Sequence, residues 1–131
     1  YGRRSGSSGR AVSEAAVFAA EEIGCQLIVV ITQSGHMARR IAALRPRQRI
    51  IAFTMSEQTR RQLAVMWGVE PYVLEHCNPE SDNLLAHADR ALVDLRLAAR
   101  GEAVVAMAGR LSDPLISLSM KLHKAGELTG E

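Results

Sequence analysis

The residues best placed to do chemistry lie in one short polar stretch between two apolar-rich segments. They are Thr32, Gln33, Ser34, Gly35, His36 and Met37. The stretch predicts a turn between a buried strand and a helix, where the first helical amides lack partners and the helix dipole is positive. Gly35 lets an oxygen approach the backbone, and Thr32 and Ser34 add hydroxyl donors. These features fit a phosphate-binding turn. On the residues alone, however, simple helix capping is the favoured interpretation.

The remaining reactive side chains do not predict a catalytic or metal site. His36, at the expected helix start, is interpreted equally well as an anion donor or as an exposed surface residue. Cys25 and Cys77 are the only cysteines and do not have metal-ligand spacing, which favours idle thiols in a reducing cytosol. A nucleophile, a base and an orienting group are nowhere close in the expected fold. We therefore expect neither catalytic residues nor metal ligands.

Length and composition indicate one globular domain. The chain has 131 residues, of which 47% are hydrophobic and 23% charged. Leu27–Ile31, the longest uncharged apolar run, is too short to cross a bilayer, and no signal-peptide pattern is present. Residues 1–10 are Gly, Ser and Arg with a single Tyr, which predicts a flexible linker or a cloning remnant. The domain is expected over residues 11–131.

The arginines are unevenly distributed, although the formal net charge is only +2. Seven fall in one stretch: Arg39, Arg40, Arg45, Arg47, Arg49, Arg60 and Arg61. A nucleic-acid surface would combine such a patch with stacking aromatic rings, and Trp67 is the only nearby candidate. A solvated face of two helices is the favoured interpretation, and Trp67 is expected in the core. We expect no nucleic acid and no membrane as partners.

Hydrophobic periodicity alternates between helix and strand along the chain. It predicts helices over 11–23, 36–44, 56–67 and 81–100, and strands over 26–31, 50–53, 69–74 and 103–108. Continuous apolar strands are typical of a parallel sheet that is covered on both faces. Residues Ile116–Leu122 instead alternate apolar and polar side chains, which predicts an antiparallel edge strand. The expected fold is a three-layer α/β/α sandwich with a mostly parallel sheet of about five strands.

Several short motifs, taken in order, resemble the C-terminal domain of the pyruvate kinase family. They are Ala11-Val12-Ser13 with Glu21-Glu22, Thr32-x-Ser34-Gly35-x-x-Ala38-Arg39, Arg45-Pro46, Ile50-Ile51-Ala52, Trp67-Gly68-Val69, Gly101 with Ala103 to Gly109, and Lys121-x-His123. Each motif is modest alone, but their order and spacing together are specific. The resemblance covers residues 11–125.

The resemblance implies a domain without catalytic groups. In this family, phosphoryl transfer from phosphoenolpyruvate to ADP takes place in a separate barrel that holds magnesium and potassium. The C-terminal domain binds a sugar-phosphate effector, often fructose 1,6-bisphosphate, and forms a subunit interface. Thr32, Ser34 and Gly35 fall on the family's phosphate-binding turn. The implied partners are a small phosphorylated metabolite or inorganic anion, a second copy of the domain and the barrel of a longer cytoplasmic chain.

Three departures from the family pattern imply a site equipped for only one phosphate. Met37 replaces a hydroxyl residue. The segment 110–119 replaces a Gly-rich loop that folds over the effector. The Trp and Arg that hold the second phosphate in animal enzymes would align near Cys77 and Leu84. A stand-alone small-anion-binding or oligomerisation protein derived from the domain is the alternative. An enzyme acting on a phosphorylated metabolite ranks last, because no acid–base pair is evident.

Overall fold

Helices and parallel strands alternate along the chain before a final antiparallel strand. The computed structural model describes residues 4–74, 84–109 and 118–124, with side chains described for 11–74 and 86–108. The elements are α1 (Arg4–Ile23), β1 (Leu27–Ile31), α2 (His36–Ala43), β2 (Arg49–Thr54), α3 (Glu57–Ala64), β3 (Val69–Val73), α4 (Leu84–Asp94), β4 (Ala103–Gly109) and β5 (Leu118–Lys124). They form one five-stranded sheet with the order β3-β2-β1-β4-β5.

Strand β1 occupies the centre of the sheet and is buried along its whole length. It pairs in parallel with β2 on one side and with β4 on the other. Ile28 and Val30 belong to one hydrophobic cluster, whereas Leu27, Val29 and Ile31 belong to a second cluster. Because successive side chains of a strand point to opposite faces, the continuous apolar run supplies both cores at once.

The two clusters place helices on both faces of the sheet. Ala20 of α1, Ile41 of α2 and Leu63 of α3 pack in the first cluster. Ala88 and Leu92 of α4 pack in the second cluster. The first three strands step across the sheet in one direction, and α4 returns the chain over the opposite face so that β4 lies beside β1. The predicted three-layer sandwich is confirmed.

The antiparallel edge strand is also confirmed. Strand β5 pairs with β4 from Gly109↔Leu118 to Ala103↔Lys124 and lies at one edge of the sheet. The predicted residues 116 and 117 lie outside the described part of the chain. At the opposite edge lies β3, which tolerates Pro71 because an edge strand makes ladder hydrogen bonds on one side only.

Helix α1 starts earlier than the sequence predicted. It begins at Arg4, so residues 4–10 are helical; residues 1–3 lie outside the described part. Among the described residues, no helix, including this one of 20 residues, is long and apolar enough to cross a membrane.

Helix α3 ends earlier than predicted, and this changes the environment of Trp67. The helix stops at Ala64 rather than continuing to residue 67. Residues 65–68 form the connection to β3, and the Trp67 side chain is 73% exposed rather than packed in the core. The guanidinium of Arg45 lies 5.0 Å from the centroid of its ring. The expectation of a buried Trp67 was wrong because it depended on the longer helix.

Helix α4 also ends early, at Asp94 instead of residue 100. Arg96 adopts a left-handed conformation with φ 59°, and the amides of Leu97 and Ala98 both donate to the carbonyl of Leu92. This geometry closes the helix as a glycine would. Because the sequence has no glycine at this position, no residue type predicted the end of the helix there. The predicted start at residue 81 lies outside the described residues.

Candidate anion-binding turn

The candidate turn follows β1 at the place where the strand order reverses. Strands β2 and β3 lie to one side of β1, whereas β4 and β5 lie to the other. Ile31, the last residue of β1, pairs with Ala108 near the end of β4. In open α/β sheets, ligands gather at the carboxyl ends of the strands at such a reversal. The sheet therefore places residues 32–37 where a ligand is expected.

Two threonines hold the turn in one conformation. The backbone amide of Thr32 donates to the Phe53 carbonyl at 2.9 Å, which continues the pairing of β1 with β2. The buried Thr32 hydroxyl oxygen accepts the Gly35 amide at 2.9 Å. Across the sheet edge, the hydroxyl of Thr59 donates to the Gln33 carbonyl at 2.7 Å. The turn is thus fixed to both the central strand and helix α3.

Gly35 satisfies a backbone and a packing requirement at the same position. It is the N-cap of α2 with φ 86° and ψ 0°, a region that side chains disfavour. A Cβ atom there would lie 3.1 Å from Leu63 Cδ2 and 3.5 Å from Thr59 Cγ2. The missing side chain would therefore point toward α3. Close packing of α3 on the turn accounts for the glycine without any ligand.

The other residues of the predicted site divide into exposed and core-directed groups. Ser34 and His36 are exposed, and the Ser34 hydroxyl oxygen accepts the His36 amide at 3.3 Å. Met37 is half-buried, packs against the first cluster and accepts the Ser13 hydroxyl at its Sδ atom at 3.1 Å. Met37 can therefore offer an anion only its backbone amide, as expected from its lack of a hydroxyl.

Helix α2 lacks the side-chain N-cap and the acidic first-turn residue that the neighbouring α3 has. In α3, Ser56 is the N-cap: its hydroxyl accepts the Thr59 amide at 3.2 Å, and the acidic Glu57 follows. Helix α2 has no side-chain cap at Gly35 and no acidic residue in its first turn. Within the described residues, the amides of Met37 and Ala38 have no partner. Of the two helix ends, α2 is the one without a side-chain N-cap and without an acidic residue in its first turn, so it is the more favourable end for an anion.

Ion pairing at the start of α3 limits which arginines are available. Arg60 and Arg61 both donate to the carboxylate of Glu57, at distances from 2.6 to 3.2 Å. The hydrogen bonds from Arg60, with those from Arg61, lower the pKa of Glu57 to about 2. Two cations near the candidate turn are therefore already engaged by a carboxylate on their own helix.

Other members of the arginine-rich stretch are engaged in a similar way. Arg49 forms two hydrogen bonds of 2.8 and 2.9 Å with Glu70, which lower the pKa of that carboxyl group. Arg47 pairs with Glu21 at 3.3 Å. These exposed pairs agree with a solvated face, but Arg45, Arg47 and Arg49 lie in the connection after α2 and at the start of β2 rather than on the two helices.

Two supporting threonines were not identified from the sequence, one at the start of α3 and one in contact with the turn. Thr54 ends β2 and accepts the Ser56 amide at 3.2 Å, and Thr59 supports Gln33 as described above. A repeated signal was present, because Thr-x-Ser follows both central strands, at Thr32 and at Thr54. In both β1 and β2, a threonine hydroxyl therefore lies at the carboxyl end of the strand.

The described cysteine has no reactive environment. Cys25 is buried, and its Sγ lies 3.4 Å from the Leu27 carbonyl. Burial is the main cause that raises its pKa, which disfavours the thiolate at neutral pH. The interpretation of Cys25 as an idle thiol is consistent with this environment. The described part of the chain does not include Cys77, the side chain of Leu84 or residues 110–117.

Together the parallel sheet and the helices on both of its faces define an open α/β domain with an antiparallel edge strand. Residues 10–114 match the family model described as "Pyruvate kinase, alpha/beta domain", and the chain belongs to this family. It is 38% identical over 99 residues to the pyruvate kinase of Eimeria tenella and 32% identical over 117 residues to that of Mycobacterium tuberculosis. These matches cover 76% and 88% of the chain.

Solved structures agree with the family assignment. A structure of Cryptosporidium parvum pyruvate kinase in complex with ADP superimposes with a TM-score of 0.76 at 30% identity, over 89% of this chain and 23% of that one. The chain spans only 18% of the Eimeria protein and 25% of the Mycobacterium protein. It therefore matches one part of much longer proteins.

Replacing Gly35 tests whether the turn depends on packing against α3. We expect Gly35→Ala to destabilise the domain by more than Gly68→Ala. Both glycines have φ 86°, but only a Cβ at Gly35 would meet other atoms. The left-handed backbone alone costs about 1–2 kcal/mol for a residue with a side chain. Urea unfolding of both variants measures the difference. Equal losses of stability would show that the Leu63 contact is unimportant.

The Glu57 ion pairs predict a defined acid response. A carboxyl group with a lowered folded pKa contributes stability that is present above its unfolded pKa, near 4.5, and is lost as the pH falls toward about 2. Glu57→Gln should therefore reduce the loss of stability across this window. Urea midpoints between pH 2 and 6 measure it, and 1 M NaCl should shrink the difference by screening the exposed pairs. Parallel pH profiles for both proteins would contradict the assignment.

Proposed function

We propose that this chain is a non-catalytic regulatory and subunit-assembly domain of a pyruvate kinase, with an anion site at residues 32–37. The observation that carries the anion site is the contrast between adjacent helices. Helix α3 has the side-chain N-cap Ser56 and the acidic Glu57 in its first turn, whereas α2 begins at Gly35 with neither. An anion placed there would accept hydrogen bonds from the Met37 and Ala38 amides, which have no partner within the described residues. It would also interact favourably with the positive end of the helix dipole.

The site should favour one phosphate group over a bisphosphate. Ser34 is exposed and can donate its hydroxyl hydrogen, and His36 stands exposed at the same helix end. The side chain of Met37 is directed to Ser13 and adds no donor. Arg60 and Arg61 are paired with Glu57, so neither is free to neutralise a second phosphate. A second phosphate would remain in water, where its charge gains little.

Phosphoryl transfer itself belongs, in this proposal, to the longer protein. The barrel that the resemblance implies would bind phosphoenolpyruvate, ADP, magnesium and potassium, and this chain alone would have no kinase activity. A cytoplasmic location fits a glycolytic enzyme and the buried thiol of Cys25. The alternative is a stand-alone anion-binding or oligomerisation protein that kept this domain. The same turn would serve it, and the length of the encoding reading frame separates the two.

Titration calorimetry tests the anion site. We expect inorganic phosphate to bind weakly and fructose 1,6-bisphosphate to bind with similar affinity. Ser34→Ala should weaken phosphate binding roughly tenfold, because a hydrogen bond to a charged group contributes about 1.5–3 kcal/mol. The matched control is Ser56→Ala, which removes the equivalent hydroxyl at the start of α3 and should leave phosphate affinity unchanged. Bisphosphate binding that is a hundredfold tighter, or an unaffected Ser34→Ala, would contradict the proposal.

Assembly through the sheet edge is the second part of the proposal. Strand β5 is an edge strand, and among the described residues no further strand pairs with its outer side. Unpaired edges of this kind are commonly covered by another chain. We expect a homodimer or larger assembly. Light scattering across a micromolar concentration series should give at least twice the chain mass. A monomeric mass at all concentrations would contradict assembly while leaving the anion site untouched.

A further inference from the structure

The two edges of the sheet differ in what they offer to a further strand. A strand is added to an edge through backbone amides and carbonyls that point away from the sheet. Strand β5 forms one edge, and its residues Leu118–Lys124 include no proline, so each of them carries an amide hydrogen. Strand β3 forms the other edge and contains Pro71, which has no amide hydrogen.

The backbone of Pro71 faces away from the sheet. The amide of Leu74 donates to the Thr54 carbonyl of β2 at 2.9 Å, so the backbone of Leu74 faces inward. In a parallel ladder, the backbone groups of successive residues point to opposite sides of the strand. The residues one, three and five places before Leu74 therefore face outward. They are Val73, Pro71 and Val69.

Of these three outward positions, Val73 is the one that keeps an available donor. The Val69 amide donates to the Met66 carbonyl at 3.4 Å, within the connection that precedes the strand. Pro71 has no donor to offer. Within the part of the chain that the structure describes, the Val73 amide has no acceptor and no strand pairs with the outer side of β3. A partner strand would therefore meet an interrupted row of donors.

The side chains of β3 do not replace the protection that Pro71 gives. Free charges commonly protect edge strands, but Glu70, the charged residue of β3, is held by Arg49 through hydrogen bonds of 2.8 and 2.9 Å. The remaining residues are two valines and a tyrosine, types that favour strands. With an amide at position 71, this segment would be typical of an edge that pairs with another chain.

The state of each edge determines which assemblies strand addition can produce. Pairing of two β5 edges is an isologous contact, and it uses both of those edges within a closed pair. Pairing of a β5 edge with a β3 edge is a heterologous contact. Each added copy then exposes a new edge, and the assembly grows as an open filament. A missing donor in β3 disfavours the open filament and leaves the closed pair unaffected.

We propose that Pro71 closes the β3 edge and so ends strand-by-strand assembly of this domain at two chains. The inference rests on the proposed function for its first step, the pairing of β5 with a second copy. It adds that the joined sheet of the pair ends at β3 on both sides. Pro71 thus protects the domain against open-ended association, in addition to being compatible with an edge strand.

Analytical ultracentrifugation of Pro71→Val tests the proposal. Valine restores the outward amide and favours a strand. We expect the unsubstituted chain to reach a plateau at twice the chain mass. The average mass of Pro71→Val should continue to rise with concentration beyond that plateau. The matched control is Pro46→Val, which makes the same exchange in the connection between α2 and β2 and should leave the plateau unchanged.

Amide hydrogen exchange at Val73 reports on the edge itself. In the unsubstituted chain this amide should exchange rapidly at every concentration. In Pro71→Val its exchange should slow roughly tenfold as the concentration is raised, because a paired strand would accept its hydrogen bond. A purely local role of Pro71 in the stability of β3 would not produce this concentration dependence. Circular dichroism identifies the folded variants, and Pro71→Thr replaces Pro71→Val if the valine variant does not fold.

The outcomes separate this inference from the proposed function. A folded Pro71→Val chain that keeps the mass of the unsubstituted chain, with rapid exchange at Val73, would overturn the inference and leave the proposed function standing. An unsubstituted chain whose mass already rises without a plateau would also overturn it. A monomeric unsubstituted chain would contradict the assembly part of the proposed function. A rise in mass on Pro71→Val would then still support closure of the β3 edge.

Discussion

Burial of β1 on both faces is the constraint from which the other features follow. Its five residues divide between two hydrophobic clusters, so neither layer of helices can form its core without this strand. Its central position also sets the two ends of the domain. The carboxyl end of β1 delivers Thr32 to the point where the strand order reverses. Its amino end lies at the level where all four helices finish.

Periodicity was sufficient to predict this framework from the sequence. The apolar runs at 27–31, 50–53 and 103–108 could only be strands covered on both faces, and the alternation from Ile116 identified the antiparallel edge. Patterns of this kind depend on burial, which the whole fold enforces. The helix ends depended instead on local geometry. Arg96 closes α4 in a left-handed conformation, and α3 stops before Trp67 although no glycine or proline intervenes there.

The location of the candidate site could be predicted from the sequence, but the contacts that hold the turn in place could not. Thr32, Ser34 and Gly35 are adjacent in the chain, so their types and order were enough to indicate a turn at a helix start. Thr59 contacts the same turn from a different helix, and the Leu63 side chain occupies the space that a Cβ atom at Gly35 would need. Such contacts form only when β2 places α3 beside α2. The contrast between the uncapped start of α2 and the Ser56-capped start of α3 likewise exists only after folding.

The strand order has a consequence for the order in which the domain folds. Leu27 pairs on one side with Arg49, which is close along the chain, and on the other side with Val104, which is distant. Closing the long loop to β4 loses more chain entropy than forming the adjacent crossovers. The segment from α1 to β3 can therefore assemble first, with one face of β1 still uncovered. Docking of α4 and β4 then becomes the slow step, during which that face is most prone to aggregation.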